Sequence, residues 1–178
     1  MSNEKQQLKK ESFPINKPLR DYLDTYKRLT KTNVFYEDLL RFQGAISVFD
    51  KEGKDTLWVR VYYNEYERAE IDKNLKKIYT LLHSDGNESS FAFLNVDQID
   101  FCTFGNSRPF RIKVRNILND NYTHFYIKKA DASRIYGLEL EHILSPNRIN
   151  YLVFKDTLIE EHIVGIPGDV FIEKNLKE

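Results

Sequence analysis

Apolar residues recur along this chain at two spacings, and the switch between them marks out its elements. Leu19, Tyr22, Leu23, Tyr26 and Leu29 follow Pro18 at helical spacing. Proline suits a first helical turn, where its missing N–H is not needed. A second helical stretch is predicted over Val34–Phe42, ended by Gly44. Ala45–Asp50 and Thr56–Tyr63 are rich in β-formers, and the glycine-containing link Lys51–Asp55 predicts a hairpin. Strand alternation puts Trp58, Arg60 and Tyr62 on one face and Leu57, Val59, Val61 and Tyr63 on the other. From Glu65 to Leu82 the stripe Ile71, Leu75, Ile78, Tyr79, Leu82 predicts a long helix, closed by Ser84-Asp85-Gly86-Asn87.

Beyond that loop the pattern is mostly strand. Phe91–Leu94, Ile99–Phe104, Phe110–Ile117 and Tyr122–Lys128 are apolar runs. The links Gly105-Asn106-Ser107 and Asn119-Asp120-Asn121 predict an antiparallel meander. Asp97 and Asp100 fall beside the break between the first two runs and read as solvated loop residues. A helix over Ala132–Leu144 stops before Pro146, and Ile149–Phe154 and Thr157–Ile163 form the last strand pair. The expected fold is α+β: an antiparallel sheet of about five strands crossed by one helix, preceded by a helix–β-hairpin–helix section. The expected boundaries are a flexible tail at 1–16, the helix–hairpin–helix section at 17–87 and the sheet domain at 88–178.

Composition narrows the classes. The 27 basic and 27 acidic residues cancel, so the chain lacks the bulk field that draws proteins to nucleic acid or anionic membrane. Neither is expected as a partner. The basic runs Lys73–Lys77 and Arg108–Arg115 read as solvated faces. Cys102 is the single cysteine, which excludes an intrachain disulfide and reads as a small buried hydrophobe. A polar start and the lack of a long apolar run predict no signal peptide and no membrane span, hence a reducing, cytoplasmic location. Eleven tyrosines and twelve phenylalanines are concentrated in the strand runs and read as sheet core rather than base-stacking platforms. His124, His142 and His162 are scattered at no metal-ligand spacing, so no metal site is expected.

The final third carries a more specific order. Thr123–Lys129 is an apolar strand ending in lysines, the next helix holds Glu139 and Glu141, and a strand then leads into Glu160-Glu161-His162-Ile163-Val164-Gly165-Ile166-Pro167-Gly168. That order resembles the nucleotide-binding lobe of the protein-kinase-like superfamily, over about Phe91 to Leu176. The resemblance implies ATP with magnesium as cofactor, Lys128 or Lys129 as phosphate contact, and Glu139 or Glu141 holding that lysine extended. It also implies a hinge in which Glu161, His162 and Ile163 offer backbone groups to adenine, with Gly165 and Gly168 allowing the bend. No catalytic-loop motif follows, so the chain alone is not expected to transfer a phosphoryl group. It would act with another protein chain or a missing C-terminal lobe, as part of a larger or split phosphotransferase. The rival expectation is a non-catalytic adaptor that contacts protein through its aromatic sheet face or the Trp58 hairpin.

Overall fold

A computed structural model of the chain describes residues 11–83, 86, 88–166 and 171–172. Four helices and seven strands follow in order: α1 (Lys17–Thr25), α2 (Tyr36–Leu39), β1 (Gly44–Phe49), β2 (Asp55–Tyr62), α3 (Glu65–His83), β3 (Leu94–Cys102), β4 (Phe110–Asn116), β5 (Tyr122–Lys129), α4 (Ala132–Leu144), β6 (Tyr151–Phe154) and β7 (Thr157–Glu161). The strands form one open sheet in the order β1-β2-β3-β4-β5-β7-β6, antiparallel throughout.

The α+β class holds, with a larger sheet than the expected five strands. The hairpin β1–β2 belongs to it, because Trp58, Val59 and Arg60 pair with Cys102, Phe101 and Asp100. More than one helix flanks it. Ile159 joins one buried cluster and its neighbour Leu158 the other, so the two clusters lie on opposite faces. The first holds Leu75, Ile78 and Leu82 of α3 against Phe110, Ile112 and Phe125. Phe110 and Phe125 are fully buried, each stabilising the fold by about 2–3 kcal/mol through the area it removes from water. The second holds α1 and α4 against Tyr151, Val153 and Leu158 at one end of the sheet.

Local chemistry sets the helix ends. The Asn16 side chain accepts a bond from the Leu19 N–H at 3.0 Å, and Asp131 caps α4 by accepting from Ser133 N at 2.9 Å. Helix α1 stops earlier than its stripe suggested. Lys27 adopts φ 56°, and Leu29 then bridges Val153 in parallel on the outer edge of β6. The expected tail is tied down at its inner end, where the Phe13 carbonyl accepts from Ala132 N at 2.8 Å. Helix α2 shrinks to Tyr36–Leu39 within the expected Val34–Phe42.

The predicted strands Phe91–Leu94 and Ile99–Phe104 become a 3-10 turn at Glu88–Phe93 and the single strand β3. A bulge between Val96 and Gln98 resets the alternation. Leu94 and Val96 before it, and Ile99 and Phe101 after it, all enter the same core.

Candidate functional site

Strand register lines up one residue from each of six strands: Arg60, Asp100, Arg111, Tyr126, Glu160 and Tyr151 stand opposite one another in turn. They lie on the side facing away from α3. Toward β6 and β7 that side is covered by α1 and α4. Over β2 to β5 neither buried cluster takes a residue from it. Among the described residues this half of the sheet presents a polar and aromatic face.

Asp100 anchors the face. It is only 1% exposed and accepts from Arg60 Nε at 3.0 Å and from Arg111 Nη2 at 2.9 Å. The reading of Asp100 as a solvated loop residue is therefore corrected: the bulge carries β3 through it and places it between two arginine-bearing strands. Asp97 lies at the bulge and accepts from Arg115 Nε at 2.8 Å. The Arg111 guanidinium stacks 4.5 Å from the centre of the Trp58 ring, and Trp58 lies 6.5 Å from Tyr126. Such stacking holds the cation without filling its outer donors. Cys102, opposite Trp58, is half-buried rather than buried.

At the other end of the row, Glu160 is 5% exposed and holds two cations, Lys128 Nζ at 2.9 Å and Arg134 Nε at 2.8 Å. Burial alone would raise its carboxyl, but Arg134 and Lys128 outweigh it and hold the group below the usual carboxylate range. Between the ends, the Tyr126 hydroxyl lies 3.1 Å from His162 Nδ1, and the His124 and His162 rings are 5.9 Å apart. These two histidines, scattered in sequence, are neighbours in space. Burial lowers the His124 pKa, with Arg111 and His162 adding to the effect.

The anticipated lysine–helix glutamate pair does not form. The carboxylate on Lys128 comes from the neighbouring strand, because Glu160 lies diagonally across from it in the β5–β7 register. Glu139 instead turns under α1. It accepts from the Tyr22 hydroxyl at 2.8 Å, from Arg28 Nε at 2.9 Å and from the Tyr151 hydroxyl. Burial is outweighed by the bonds from Tyr151, Tyr22 and Arg28, and its carboxyl lies below the usual range. Burial and the bond to Glu139 push Tyr151 up. Glu141 is half-buried on α4, and Lys129 is exposed on the opposite face with Nζ 3.6 Å from Glu37.

In the expected hinge, Glu161 N–H donates to the Asn150 carbonyl at 3.0 Å, so that donor is already used. Its carboxylate accepts from Asn150 Nδ2 at 3.0 Å. His162 and Ile163 are exposed beyond the end of β7, and Gly165 stands in open space. Gly168 lies outside the described residues. With Lys128 and Glu139 each satisfied by other groups, the residues do not fit the phosphate clasp that the resemblance implies, and no step is derived through ATP. Among the described residues no group of three His, Cys, Asp or Glu side chains is placed to hold a metal ion. None of their helices is long and apolar enough to cross a membrane.

Asp100, Arg111 and Glu160 were absent from the candidate residues named on sequence. Their signal was present but faint: a charge in the alternate position of an apolar strand, repeated on adjacent strands. No family model matches the chain, no curated protein matches it, and no solved structure matches it. The kinase-like resemblance therefore rests on element order.

Proposed function

We propose that this protein is a non-catalytic interaction module that docks a protein partner on the open face of β2 to β5. One observation carries the reading: a half-face bearing Trp58, Tyr126, Arg60 and Arg111 gives no residue to either buried cluster, and α1 to α4 pack elsewhere. Tryptophan, tyrosine and arginine dominate binding energy at protein interfaces, because each brings a large rigid surface with a polar handle. Here they are already braced, the arginines by Asp100 and the tryptophan by Arg111. Bracing lowers the ordering entropy that a partner must offset.

The test uses a photo-crosslinking residue at two positions in the living source. One replaces Tyr62, which alternates onto the open face. The other replaces Lys73, exposed on α3 across the sheet. A partner captured at Tyr62 alone, which then binds the purified chain and loses that binding in Arg111→Glu, supports the module. Capture at Lys73 alone contradicts it.

The second reading is a nucleotide-binding lobe completed by another chain. It is favoured by the element order of the final third, in which strand β5 ends in lysines, α4 follows and β7 leads into Glu161–Ile163, and it requires Lys128 to leave Glu160. A thermal shift with ATP and magnesium that disappears in Lys128→Ala but not in Lys129→Ala would favour it. No shift at millimolar ATP counts against it.

A further inference from the structure

The charges of the open face are layered. Two carboxylates form its floor, Asp100 within the open face and Glu160 at its β7 border beside α4: Asp100 is 1% and Glu160 5% exposed. The arginines they hold reach outward, with Arg60 32%, Arg111 28% and Arg134 38% exposed, while Lys128 lies deeper at 16%. Lys113 adds a fifth cation to this set with Lys128, its ammonium 4.1 Å from the centre of the Tyr122 ring. Arg115, at the far end, is matched by Asp97 and Asp120. With Arg115, Asp97 and Asp120 included, six cations on this side meet four carboxylates, and the two central carboxylates are the deeper layer. A chain of zero net charge thus turns a positive surface outward here.

Each floor carboxylate also fixes the orientation of its arginines. Arg60 spends Nε on Asp100 and Arg111 spends Nη2; Arg111 Nε is buried without a partner, so the outer Nη groups are the ones left for a second acceptor. A guanidinium held in this way is a preorganised fork for another carboxylate. We propose that the partner docks through an acidic, extended segment, with one carboxylate on the Arg60–Arg111 pair and a second on Arg134. This rests on the docking reading above and names the chemistry of the partner.

The geometry gives the spacing. Asp100 on β3 and Glu160 on β7 are separated by three strand intervals, about 14 Å at the usual distance between strands. An extended segment crossing the strands covers that in about four residues. The motif is therefore an acidic residue, three intervening residues and a second acidic residue, with apolar or aromatic side chains between them to meet Trp58 and Tyr126. Protein rather than nucleic acid is favoured by charge complementarity, since the surplus is small and part of it is already neutralised from below. Tight binding to a phosphate backbone draws on many more unneutralised cations.

Trp58 is the sole tryptophan, so its emission reports directly on the face. The probe is a synthetic peptide with two glutamates four positions apart and tyrosine between them. Its controls are the same peptide with both glutamates changed to glutamine, one with the glutamates adjacent, and oligouridylate of matching length. The spaced acidic peptide should change the emission saturably, bind at least about tenfold more tightly than the glutamine control, and weaken about tenfold in Arg111→Ala and with added salt. Arg60→Ala should act in the same direction, and thermal melts identify any variant that fails to fold. Equal binding of the acidic and glutamine peptides, no binding of either, or tighter binding of oligouridylate would each overturn the inference. In those cases a partner captured at Tyr62 would still sustain the docking reading, so the two failures are separable.

Discussion

Glu139 and Asp100 are both buried carboxylates that gather cations, yet their surroundings differ. Glu139 lies under α1, enclosed by Tyr22, Arg28 and Tyr151, and every group it binds joins one element to another. Asp100 lies in the middle of a sheet face that neither buried cluster of the described residues covers, and the arginines it holds remain partly open to water. The first arrangement ties α1, α4 and β6 together. The second fixes side chains on a sheet face, Arg111 against the Trp58 ring and near His124. A buried acid thus either closes a structure or prepares a surface, and what lies above it decides which.

Removing each acid should separate these roles. Glu139→Ala leaves two tyrosine hydroxyls and a guanidinium without their acceptor, and should cost on the order of 3 kcal/mol in urea unfolding. Glu139→Gln, which keeps the shape, should cost less. Asp100→Ala frees two arginines that can turn to water, so a loss of about 1–2 kcal/mol is expected in the same assay. Its larger effect should be on binding to the open face. If Asp100→Ala proves as destabilising as Glu139→Ala, the contrast between closing and preparing fails.

Acid sharpens the comparison. The Glu139 and Glu160 carboxyls are held below their ordinary value in the folded state. Each contributes stability present above the unfolded value near pH 4.3, which is lost as pH falls through the folded value. Stability should therefore decline below about pH 4.3, and Glu139→Ala should flatten part of that decline. A smaller step belongs to His124, whose pKa burial lowers, as it does that of His83. The unfolded chain takes up those protons first, so stability should fall as pH drops below about 6.5. His124→Gln should reduce that step and leave the carboxylate limb intact.

The elements that were legible in the sequence are those whose pattern is uninterrupted. Helix α4 is legible at its observed limits because Leu138 and Glu139 each fall one turn after Ile135 between Asp131 and Pro146. Strands β4 and β5 alternate cleanly. Strand β3 was split in two because its bulge inserts Asp97 and Gln98 where an apolar residue was due. That same misreading sent Asp100 to a loop and hid the site. The partner of Lys128 was illegible for a different reason. Which carboxylate meets a strand lysine depends on the register of a strand about thirty residues later, and register is set by packing rather than by local pattern.

On this reading the sheet side bearing Trp58 is open and positive although the chain is neutral. Quenching of Trp58 emission by iodide and by caesium, compared at low salt, measures both properties together. Iodide should quench several-fold more efficiently than caesium, and the gap should close as salt shortens the Debye length toward about 3 Å near 1 M. Equal quenching by the two ions, or no quenching by either, would contradict it.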